Sequence, residues 1–442
     1  MHTRSLLVVM AALLAIACDN GGSDDPLRPD AGPPEGIDSG TVVPPGVDAG
    51  DVPPPPPGGT TYYEHVRPIL VENCVMCHTT GGIAPFSLES YDIVFEVGER
   101  MAEVTHDRIM PPFLADTSGE CNEFNNDRTL SDGEIAVIQR WVDDGKLEGD
   151  PSTPMPEAAV LPSLPSVDLT LQMPSTYDIQ TTLDDDYRCF VVETGTTTDQ
   201  FVTGYEVHPG NPERVHHVIV YNPQDDGAAS EARDLDAADG TVGDGYPCFG
   251  GPRVTAAPMV LWAPGAGATN FPRGTGVQLA AGRAQVVQVH YNNLVDEDAP
   301  EDDLTTVDLS LRSSANQAYI VPIAHGGIVL PPRMESVTQS TTQDLSVLPV
   351  NVRAWGAFPH MHTLGRQLRV ERSGSADTCM IDIPRWDFNW QLAYWYEEPI
   401  TIQPGDDMTI TCTYNTMERD ETVRWGDGTQ DEMCLNFFYV TL

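Results

Sequence analysis

The pattern of hydrophobic and polar positions changes several times along the chain. Residues 6–17 form one short apolar run, and residues 19–60 have no apolar periodicity. Between residues 130 and 142, apolar side chains recur at helical spacing after a capping signature that begins at Ser131, which predicts an amphipathic helix. From Ser166 onward, short runs of β-branched and aromatic residues are separated by glycine, proline, asparagine and aspartate. This last pattern predicts strands.

The strand-like region is long enough for more than one domain. Its clearest strand predictions are residues 215–221, 286–291, 408–414 and 435–442. About 275 residues of this pattern favour two β-sandwich domains over one. The predicted organisation is a signal peptide (1–18), a tether (19–60), a small α-helical domain (61–150), a linker (151–165) and two β domains (166–317 and 318–442).

The first residues indicate export. Arg4 precedes an apolar run that is too short to span a bilayer and ends in small residues, as a signal peptide does. The segment that ends at Cys18 resembles the bacterial lipobox, which implies a lipid on Cys18. The alternative is ordinary cleavage that leaves a free thiol nearby. We expect a protein of the bacterial periplasm or cell surface that is anchored to the membrane by this lipid and held away from it by the proline-rich tether.

The amino-acid composition excludes one class of binding partner and leaves open how the nine cysteines are bonded. Lys+Arg total 23 against 66 Asp+Glu, which gives a net charge of −43, and Lys146 is the only lysine. No basic patch can neutralise a phosphate backbone, so we expect no nucleic-acid partner. The nine cysteines are an odd number, which means that at least one sulfur of an exported chain is outside intrachain disulfides.

Cys74, Cys77 and His78 form a CxxCH motif, the attachment motif of c-type haem. In this motif two thiols bond to the haem and the histidine supplies an axial imidazole. The order of a predicted helix followed by the motif resembles small c-type cytochromes, which implies a covalently bound haem c in this domain. Met110, in a proline-rich loop, resembles the second axial ligand of that family, and His106 is the rival ligand.

Histidines fall within or beside the predicted strands of the β region. His216 and His217 are adjacent, His290 is in a second strand, and His360 and His362 form an i, i+2 pair. Residues i and i+2 share a face of a strand, so the last pair can bind one metal ion. Adjacent residues point to opposite faces, so His216 and His217 can share an ion only with a bulge, a local twist or the use of different ring nitrogens.

These histidine motifs occur in order with two cysteine motifs, a Cys-Thr-Tyr-Asn-Thr run at residues 412–416 and Asp-Glu-Met-Cys at residues 431–434. The five motifs together resemble the copper type II, ascorbate-dependent monooxygenases. The resemblance covers residues 166–442 and implies a mainly β fold of two antiparallel, jelly-roll-like sandwiches. Each sandwich holds one copper ion, and the two ions face a solvent-filled cleft. The family inserts one atom of O2 into an activated C–H bond, releases the other as water, and draws electrons from ascorbate or another one-electron donor.

The resemblance also implies roles for individual residues. It assigns His216, His217 and His290 to an electron-transfer copper and His360, His362 and Met433 to an oxygen-activating copper, with Tyr187 and Gln288 beside the first site. Two imidazoles and a thioether favour Cu(I), which suits a site that reacts with O2. Peptide-hydroxylating relatives bind a substrate carboxylate at positions that here hold Phe358, Leu435 and Phe437. We therefore expect a small organic substrate with an aromatic or alkyl group and no carboxylate.

The family resemblance pairs four cysteines, Cys189 with Cys248 and Cys412 with Cys434. With Cys18 lipidated and two cysteines on haem, Cys121 and Cys379 remain. We hypothesise that they bond to each other and join the helical domain to the second β domain. The alternative is that both are unrelated buried thiols.

The leading functional hypothesis is a copper monooxygenase that receives electrons one at a time through the haem on the same chain. Hydroxylation needs two electrons, and each copper stores one. A different class of function is a non-catalytic electron-transfer or copper-binding lipoprotein. A structural adhesion sandwich is the third possibility, but six matched metal ligands argue against it.

Overall fold

The computed structural model describes residues 58–80, 84–156, 161–240, 243–293 and 300–442. The predicted signal peptide, Cys18 and the tether up to residue 57 lie outside the described residues, as do residues 157–160 of the linker. The described chain forms two units. A helical unit contains residues 58–112 and 128–156, and a β unit contains Phe113–Asp127 and the chain from Leu161 to Leu442. No helix within these described ranges has both the length and the apolar character needed to cross a membrane.

The helical unit begins with a single π-helical turn at Tyr62–Val66, followed by α1 (Arg67–Asn73), α2 (Tyr91–His106) and α3 (Asp132–Asp143). Helix α3 confirms the predicted capped helix: Glu134 donates its backbone N–H to the Ser131 hydroxyl, and the Glu134 carboxylate accepts the Ser131 backbone N–H. The helices bury one cluster around Leu70, Ile138 and Trp141. This cluster gives the unit its own core, separate from the cores of the β unit.

The β unit contains two modules. The strands of the N-terminal module are β1 (Leu169–Gln172), β2 (Tyr177–Asp178), β3 (Asp185–Val192), β4 (Gln200–His208), β5 (Val215–Pro223), β6 (Tyr246–Pro247), β7 (Ala256–Trp262), β8 (Thr269–Asn270), β9 (Thr275–Leu279), β10 (Gln285–Asn292), β11 (Asp302–Asp303) and β12 (Thr306–Arg312). Helix α4 (Asp226–Ala238) follows β5, and the Asp225 side chain caps it by accepting the Ala228 backbone N–H.

The strands of the C-terminal module are β13 (Asn316–Ala324), β14 (Val329–Leu330), β15 (Val337–Asp344), β16 (Val352–His360), β17 (Gly365–Ser373), β18 (Thr378–Ile383), β19 (Tyr394–Ile402), β20 (Asp407–Tyr414), β21 (Val423–Arg424) and β22 (Leu435–Thr441). The four strands predicted most clearly from sequence are confirmed as β5, β10, β20 and β22. The fold is therefore mainly β, as predicted.

One long sheet runs through both modules. Its order is β1-β12-β4-β9-β13-β22-β16-β19, with β8 beside β4, and the β9–β13 pairing that joins the modules is parallel. The N-terminal module adds a five-stranded sheet, β6-β3-β10-β5-β7, and the C-terminal module adds a four-stranded sheet, β15-β20-β17-β18. Each module buries one large apolar cluster to which both of its sheets contribute side chains. The continuous sheet fixes the two modules beside each other.

Residues 113–127, which the sequence-based division places in the helical domain, belong to the β unit. Phe113 and Phe124 are buried in the core of the C-terminal module. The backbone of this segment bonds to the module as well, for example from Asn125 N to the Trp395 carbonyl at 2.9 Å. The physical reason is that the segment has aromatic side chains that the module buries, and backbone groups that find hydrogen-bond partners in the module.

All three predicted disulfides are present. Cys189 bonds to Cys248, Cys412 to Cys434, and Cys121 to Cys379. The last bond crosses 258 residues of sequence. Because Cys121 lies in the segment 113–127, this disulfide fastens that segment within the β unit, whereas the hypothesis placed Cys121 in the helical domain.

Candidate metal centre and its cavity

Three histidines of the N-terminal module lie on two neighbouring strands. His216 and His217 are in β5, and His290 is directly opposite His217 in β10. The register shifts at the next step, where Tyr291 pairs with Val215, so His216 is the extra residue of a β-bulge. A bulge re-aims the side chain that it displaces. This is one of the distortions that the sequence requires for an adjacent histidine pair to share an ion.

The donor atoms of these residues converge. The Nδ1 atom of His217 lies 3.4 Å from Nδ1 of His216 and 3.3 Å from Nδ1 of His290. Donor atoms of all three residues lie within 4.8 Å of one another. Nitrogens that are each about 2.0 Å from one ion are themselves about 3.3 to 3.5 Å apart. The three side chains therefore fit a single metal ion held by three Nδ1 atoms, and we call them the three-histidine site.

Two neighbours fix the ring of His290. Tyr187 lies opposite it in β3, and the two rings are parallel, with centroids 4.0 Å apart. The Nε2–H of His290 donates to the Asp185 carboxylate at 2.8 Å, which leaves Nδ1 as the free donor. Burial alone would raise the pKa of Asp185, but hydrogen bonds from His290 and Thr429 outweigh it and lower that pKa to about 2. Asp185 is thus an anion at neutral pH.

The C-terminal module supplies the second pair of histidines. His360 is the last residue of β16 and His362 follows it, with ring centroids 5.1 Å apart. The Nδ1–H of His360 donates to the Gln391 side-chain oxygen at 2.5 Å, and that of His362 to the Asp431 carbonyl at 3.1 Å. Both rings are therefore held with Nε2 free, the opposite choice of nitrogen to the first site.

Met433 joins this pair through a shared anchor. The Glu432 carboxylate is fully buried and accepts the backbone N–H groups of His362 (3.0 Å), Leu364 (2.7 Å) and Met433 (3.1 Å). Burial raises the pKa of Glu432 to about 7, although these N–H groups oppose the shift. One side chain thus fixes the backbone of both the histidine pair and the methionine. We call His360, His362 and Met433 the histidine–methionine site.

Burial keeps the imidazoles in the form that binds metal. Burial first, and then neighbouring imidazoles, hold the pKa values of His216 and His217 well below the usual range. Burial also lowers the pKa of His360 to about 3 and that of His362 to about 4. The pKa of His290 is lowered by burial too, although its carboxylate partner opposes the shift. All five rings are neutral at pH 7, with a lone pair available to an ion.

The two sites lie close together, across the boundary between the modules. The ring centroids of His217 and His360 are 6.2 Å apart. Phe388 of the C-terminal module stacks on His216, with centroids 4.4 Å apart, and also lies 6.2 Å from His362. The resemblance implies two ions that face a solvent-filled cleft. Here side chains of both modules are in direct contact at that position.

A cavity of about 250 Å³ opens beside both sites. It is lined by His217 of the first site and by all three residues of the second, together with Tyr187 and Gln288. The rest of its wall is largely apolar, and it includes Phe358, Leu435 and Phe437, the three positions that lack a carboxylate anchor. Among the described residues that line it, there is no lysine or arginine, and the one carboxylic acid is Asp427.

Several residues of the site carry no recognisable sequence signal of their own. Gln391 and Phe388 lie on the loop between β18 and β19, far from any motif, and only the tertiary fold brings them to the histidines. Asp185 could have been found, because it precedes Tyr187 by two residues and so shares its strand face. Gln288 lines the same cavity as His217, and its side-chain amide donates to the Cys248 carbonyl at 3.0 Å. This hydrogen bond holds the backbone at the Cys189–Cys248 disulfide.

The haem-motif residues lie in the helical unit. Cys74 and Cys77 form no disulfide, unlike the other cysteines of the described chain. The Nδ1 atom of His78 lies 3.0 Å from the Phe86 carbonyl, so its Nδ1–H is engaged and Nε2 is free for iron. His106 is exposed and lies 3.1 Å from the Asp107 carboxylate. Two free thiols and an oriented imidazole fit the chemistry of a covalently bound haem.

Comparison with known proteins agrees with this geometry. The N-terminal domain of the copper type II ascorbate-dependent monooxygenase family matches residues 171–298, and its C-terminal domain matches residues 317–441. Human DBH-like monooxygenase protein 1 is 23% identical over 261 residues, covering 52% of this chain and 40% of the relative. Tyramine beta-hydroxylase of Caenorhabditis briggsae is 26% identical, covering 53% and 40%, and dopamine beta-hydroxylase of Rattus norvegicus is 27% identical, covering 53% and 39%.

The chain thus spans about two-fifths of the length of the curated relatives that it matches. Among solved structures, the major capsid protein P2 of Bacteriophage PM2 overlaps 58% of this chain and 97% of that chain at 10% identity, with a TM-score of 0.25, which is too low to support a conclusion. The two domain matches together cover more than half of the chain, and both metal sites lie within them. This chain therefore belongs to the copper type II ascorbate-dependent monooxygenase family.

Proposed function

We propose that this protein is a copper-dependent monooxygenase that hydroxylates an activated C–H bond of a small, apolar organic substrate. The observation that carries the proposal is the pair of histidine sites on one apolar cavity, each with its imidazoles neutral and oriented. The overall reaction consumes O2, two electrons and two protons, and yields an alcohol and one water. Copper supplies the one-electron redox chemistry and the activation of O2.

The residues of each site suit different roles. His216, His217 and His290 present three nitrogen donors, a set that accepts both oxidation states of copper and suits electron transfer. His360 and His362 present two nitrogens, and Met433 adds a soft thioether, a set that favours Cu(I) and leaves room for O2. The close approach of His217 to His360 gives a short path between the two sites.

The wall of the cavity supports the choice of substrate. Phe358, Leu435 and Phe437 offer only apolar surface, and the described lining has no cationic side chain to pair with a carboxylate. Burying an unpaired carboxylate costs several kcal/mol, on the order of its desolvation penalty. An aromatic or alkyl substrate without a carboxylate therefore fits this wall best.

The helical unit would supply electrons. We infer that Cys74 and Cys77 bind haem c and that His78 is one axial ligand, because the thiols are free and the imidazole is oriented. Met110 is the proposed second ligand. A one-electron haem on the same chain delivers electrons at high effective concentration, so ascorbate would be one possible donor and not the required one.

Export is part of the proposal. Three disulfides support an oxidising compartment, in which c-type haem is also assembled. Lipidation of Cys18 and a location in the bacterial periplasm or at the cell surface remain predictions.

The test begins with copper and haem quantification in the purified protein, followed by incubation of candidate substrates with isotopically labelled dioxygen. The expected product contains one labelled oxygen atom. Met433→Ala should abolish this product and leave haem reduction intact. Product formation by Met433→Ala at the wild-type rate would contradict the assigned oxygen site, and the absence of any labelled product would favour a non-catalytic electron carrier.

The relay has its own test. The protein is reduced, freed of excess reductant and mixed with Cu(II) and O2. Haem oxidation should be much slower in His216→Ala than in the wild type. His208→Ala is the matched control, because His208 is an exposed histidine of the same module that pairs with Asp308. Equal haem oxidation rates in the wild type and His216→Ala would contradict the relay.

A further inference from the structure

Asp185 makes contact with both modules. Its side chain is only 10% exposed. Within the N-terminal module it accepts the Nε2–H of His290. From the C-terminal module it accepts the Thr429 backbone N–H at 2.8 Å and the Thr429 hydroxyl at 2.6 Å. One buried carboxylate therefore holds a proposed ligand of the first copper and a loop of the other module.

That loop, residues 427–433, leads directly to the second site. It ends at Met433, and its Asp431 carbonyl orients the His362 ring. At its start, the Asp427 carbonyl accepts the Tyr187 hydroxyl at 2.6 Å. The loop thus contacts Tyr187, which stacks on His290, at one end, and carries Met433 of the histidine–methionine site at the other.

We propose that Asp185 is a positioning residue that fixes His290 and couples the two copper sites through the loop at residues 427–433. This inference rests on the proposed function, since it concerns the binding of copper. It gives Asp185 and Thr429, neither of which is a proposed metal ligand, a role in positioning the residues that are.

The orientation of His290 needs two constraints. Stacking on Tyr187 fixes the plane of the imidazole. Stacking alone permits the ring to flip by 180° about the Cβ–Cγ bond, which would put the ring carbons Cδ2 and Cε1 in the positions of Nδ1 and Nε2. The hydrogen bond to Asp185 excludes the flipped ring, because only the observed state places Nε2–H on the carboxylate and Nδ1 beside His217. Asp185 therefore keeps Nδ1, and not a ring carbon, facing the proposed ion.

The coupling between the two sites follows from the hydrogen bonds that Thr429 donates to Asp185. If Asp185 is removed, Thr429 loses the acceptor of both its hydroxyl and its backbone N–H. Thr429 is 4% exposed, so the loop would have to move to satisfy these groups. Such a movement changes the position of Met433 relative to the three-histidine site. The loss of Asp185 therefore changes the geometry of the histidine–methionine site, although Asp185 makes no direct contact with its residues.

The test compares Asp185→Ala, Asp185→Asn and Thr429→Val in the full-length protein. Copper affinity of the three-histidine site is measured in a His362→Ala background, so that the second site does not contribute. The copper affinity of the histidine–methionine site is then measured in a His216→Ala background, so that the first site does not contribute. Asp303→Asn is the control, because Asp303 is a buried carboxylate of the same module whose partners are Asn211, Tyr291 and Thr305.

We expect Asp185→Ala to weaken copper binding at the three-histidine site by about 10- to 100-fold, the usual effect of losing a carboxylate that orients a metal-bound histidine. Asp185→Asn should lose less, because its amide oxygen still accepts from His290. Thr429→Val should keep the copper affinity of the three-histidine site within about twofold of the wild type, since it leaves His290 untouched. Both Asp185→Ala and Thr429→Val should weaken copper binding at the histidine–methionine site, because the loop that carries Met433 moves.

Wild-type copper affinity in Asp185→Ala, or an equal loss in Asp303→Asn, would overturn the positioning role. Unchanged copper affinity of the histidine–methionine site in Asp185→Ala would overturn the coupling. Failure of the proposed function gives a different result, because the unmutated protein would then bind no copper at the three-histidine site, or would bind it and form no hydroxylated product. Circular dichroism of each copper-free variant verifies that it is folded.

Discussion

The Glu432 carboxylate accepts the backbone N–H of His362 at 3.0 Å, and this bond ties the end of β16 to the start of β22. The same carboxylate accepts the N–H of Met433. Two proposed ligands from separate parts of the chain thus share one buried anchor. Their relative position therefore depends on this carboxylate.

Replacing Glu432 should destabilise the protein and the histidine–methionine site together. Glu432→Ala leaves three buried N–H groups without an acceptor, and we expect the free energy of unfolding to fall by about 3 kcal/mol. Glu432→Gln should lose less, since its amide oxygen still accepts. Urea unfolding of the copper-free protein measures the change. A stability within 0.5 kcal/mol (about the error of the method) of the wild type in Glu432→Ala would contradict the anchoring role.

The disulfide between Cys121 and Cys379 should hold the segment 113–127 in place. The double variant Cys121→Ser, Cys379→Ser should lose about 2 to 5 kcal/mol of stability, because the bridge closes a long loop. Hydrogen exchange should rise in residues 113–127 and change little in β5 and β10. Unchanged exchange in that segment would show that its packing alone is sufficient.

The cavity should discriminate against carboxylates. In the copper-free protein, phenylacetate should bind at least about tenfold more weakly than 2-phenylethanol, because no described lining residue can pair with its charge. Isothermal titration calorimetry measures both affinities. Phe358→Arg should narrow the difference by supplying a guanidinium, whereas Phe358→Leu should not. Equal binding of the two compounds to the wild type would mean that the substrate binds outside this cavity.

The copper-free protein should lose stability as the pH falls below about 6.5, the ordinary pKa of histidine in an unfolded chain. The folded pKa of His362 is about 4 and that of His360 about 3, so between these values and 6.5 the unfolded chain binds more protons. For His362 the loss is about 2 kcal/mol by pH 5. Glu432, with its raised pKa, acts in the opposite direction between about pH 7 and 4.5.

Urea unfolding at pH 7.5 and pH 5 measures this dependence. His362→Phe should reduce the slope, and His208→Ala, which changes an exposed histidine, should not. A wild-type stability that is higher at pH 5 than at pH 7.5 would mean that the carboxyl groups outweigh the buried imidazoles.

The second haem ligand can be decided by redox titration. A thioether ligand raises the potential of a histidine-ligated haem, so Met110→Ala should lower the midpoint potential, and His106→Ala should leave it unchanged. The opposite result would assign the ligand to His106, which in the protein is exposed at the end of α2.

Much of the site was predictable because it depends on local rules. The strand assignments came from residue pattern, and the adjacency of His216 and His217 already required a distortion of a regular strand. The bulge at His216 provides it. The i, i+2 spacing of His360 and His362 predicted that they would meet, although only His360 belongs to the strand itself.

Other features depend on how distant segments meet, and a single sequence does not contain that information. Gln391 orients His360 from a loop about 30 residues away, and Asp185 meets Thr429 across 244 residues. The direct approach of His217 to His360 likewise follows from the position of one module against the other. For the same reason, residues 113–127 could not be assigned to the β unit from their pattern.

The path of residues 113–127 also bears on how this protein could have arisen. The chain leaves the helical unit after Pro112, completes the core of the β unit, and returns to the helical unit at Arg128. Neither unit is a continuous stretch of the gene. A gene fragment that starts at Ser166 would encode a β unit without Phe113, Phe124 and one half of a disulfide. A single recombination point therefore cannot separate the two units without removing part of the β-unit core.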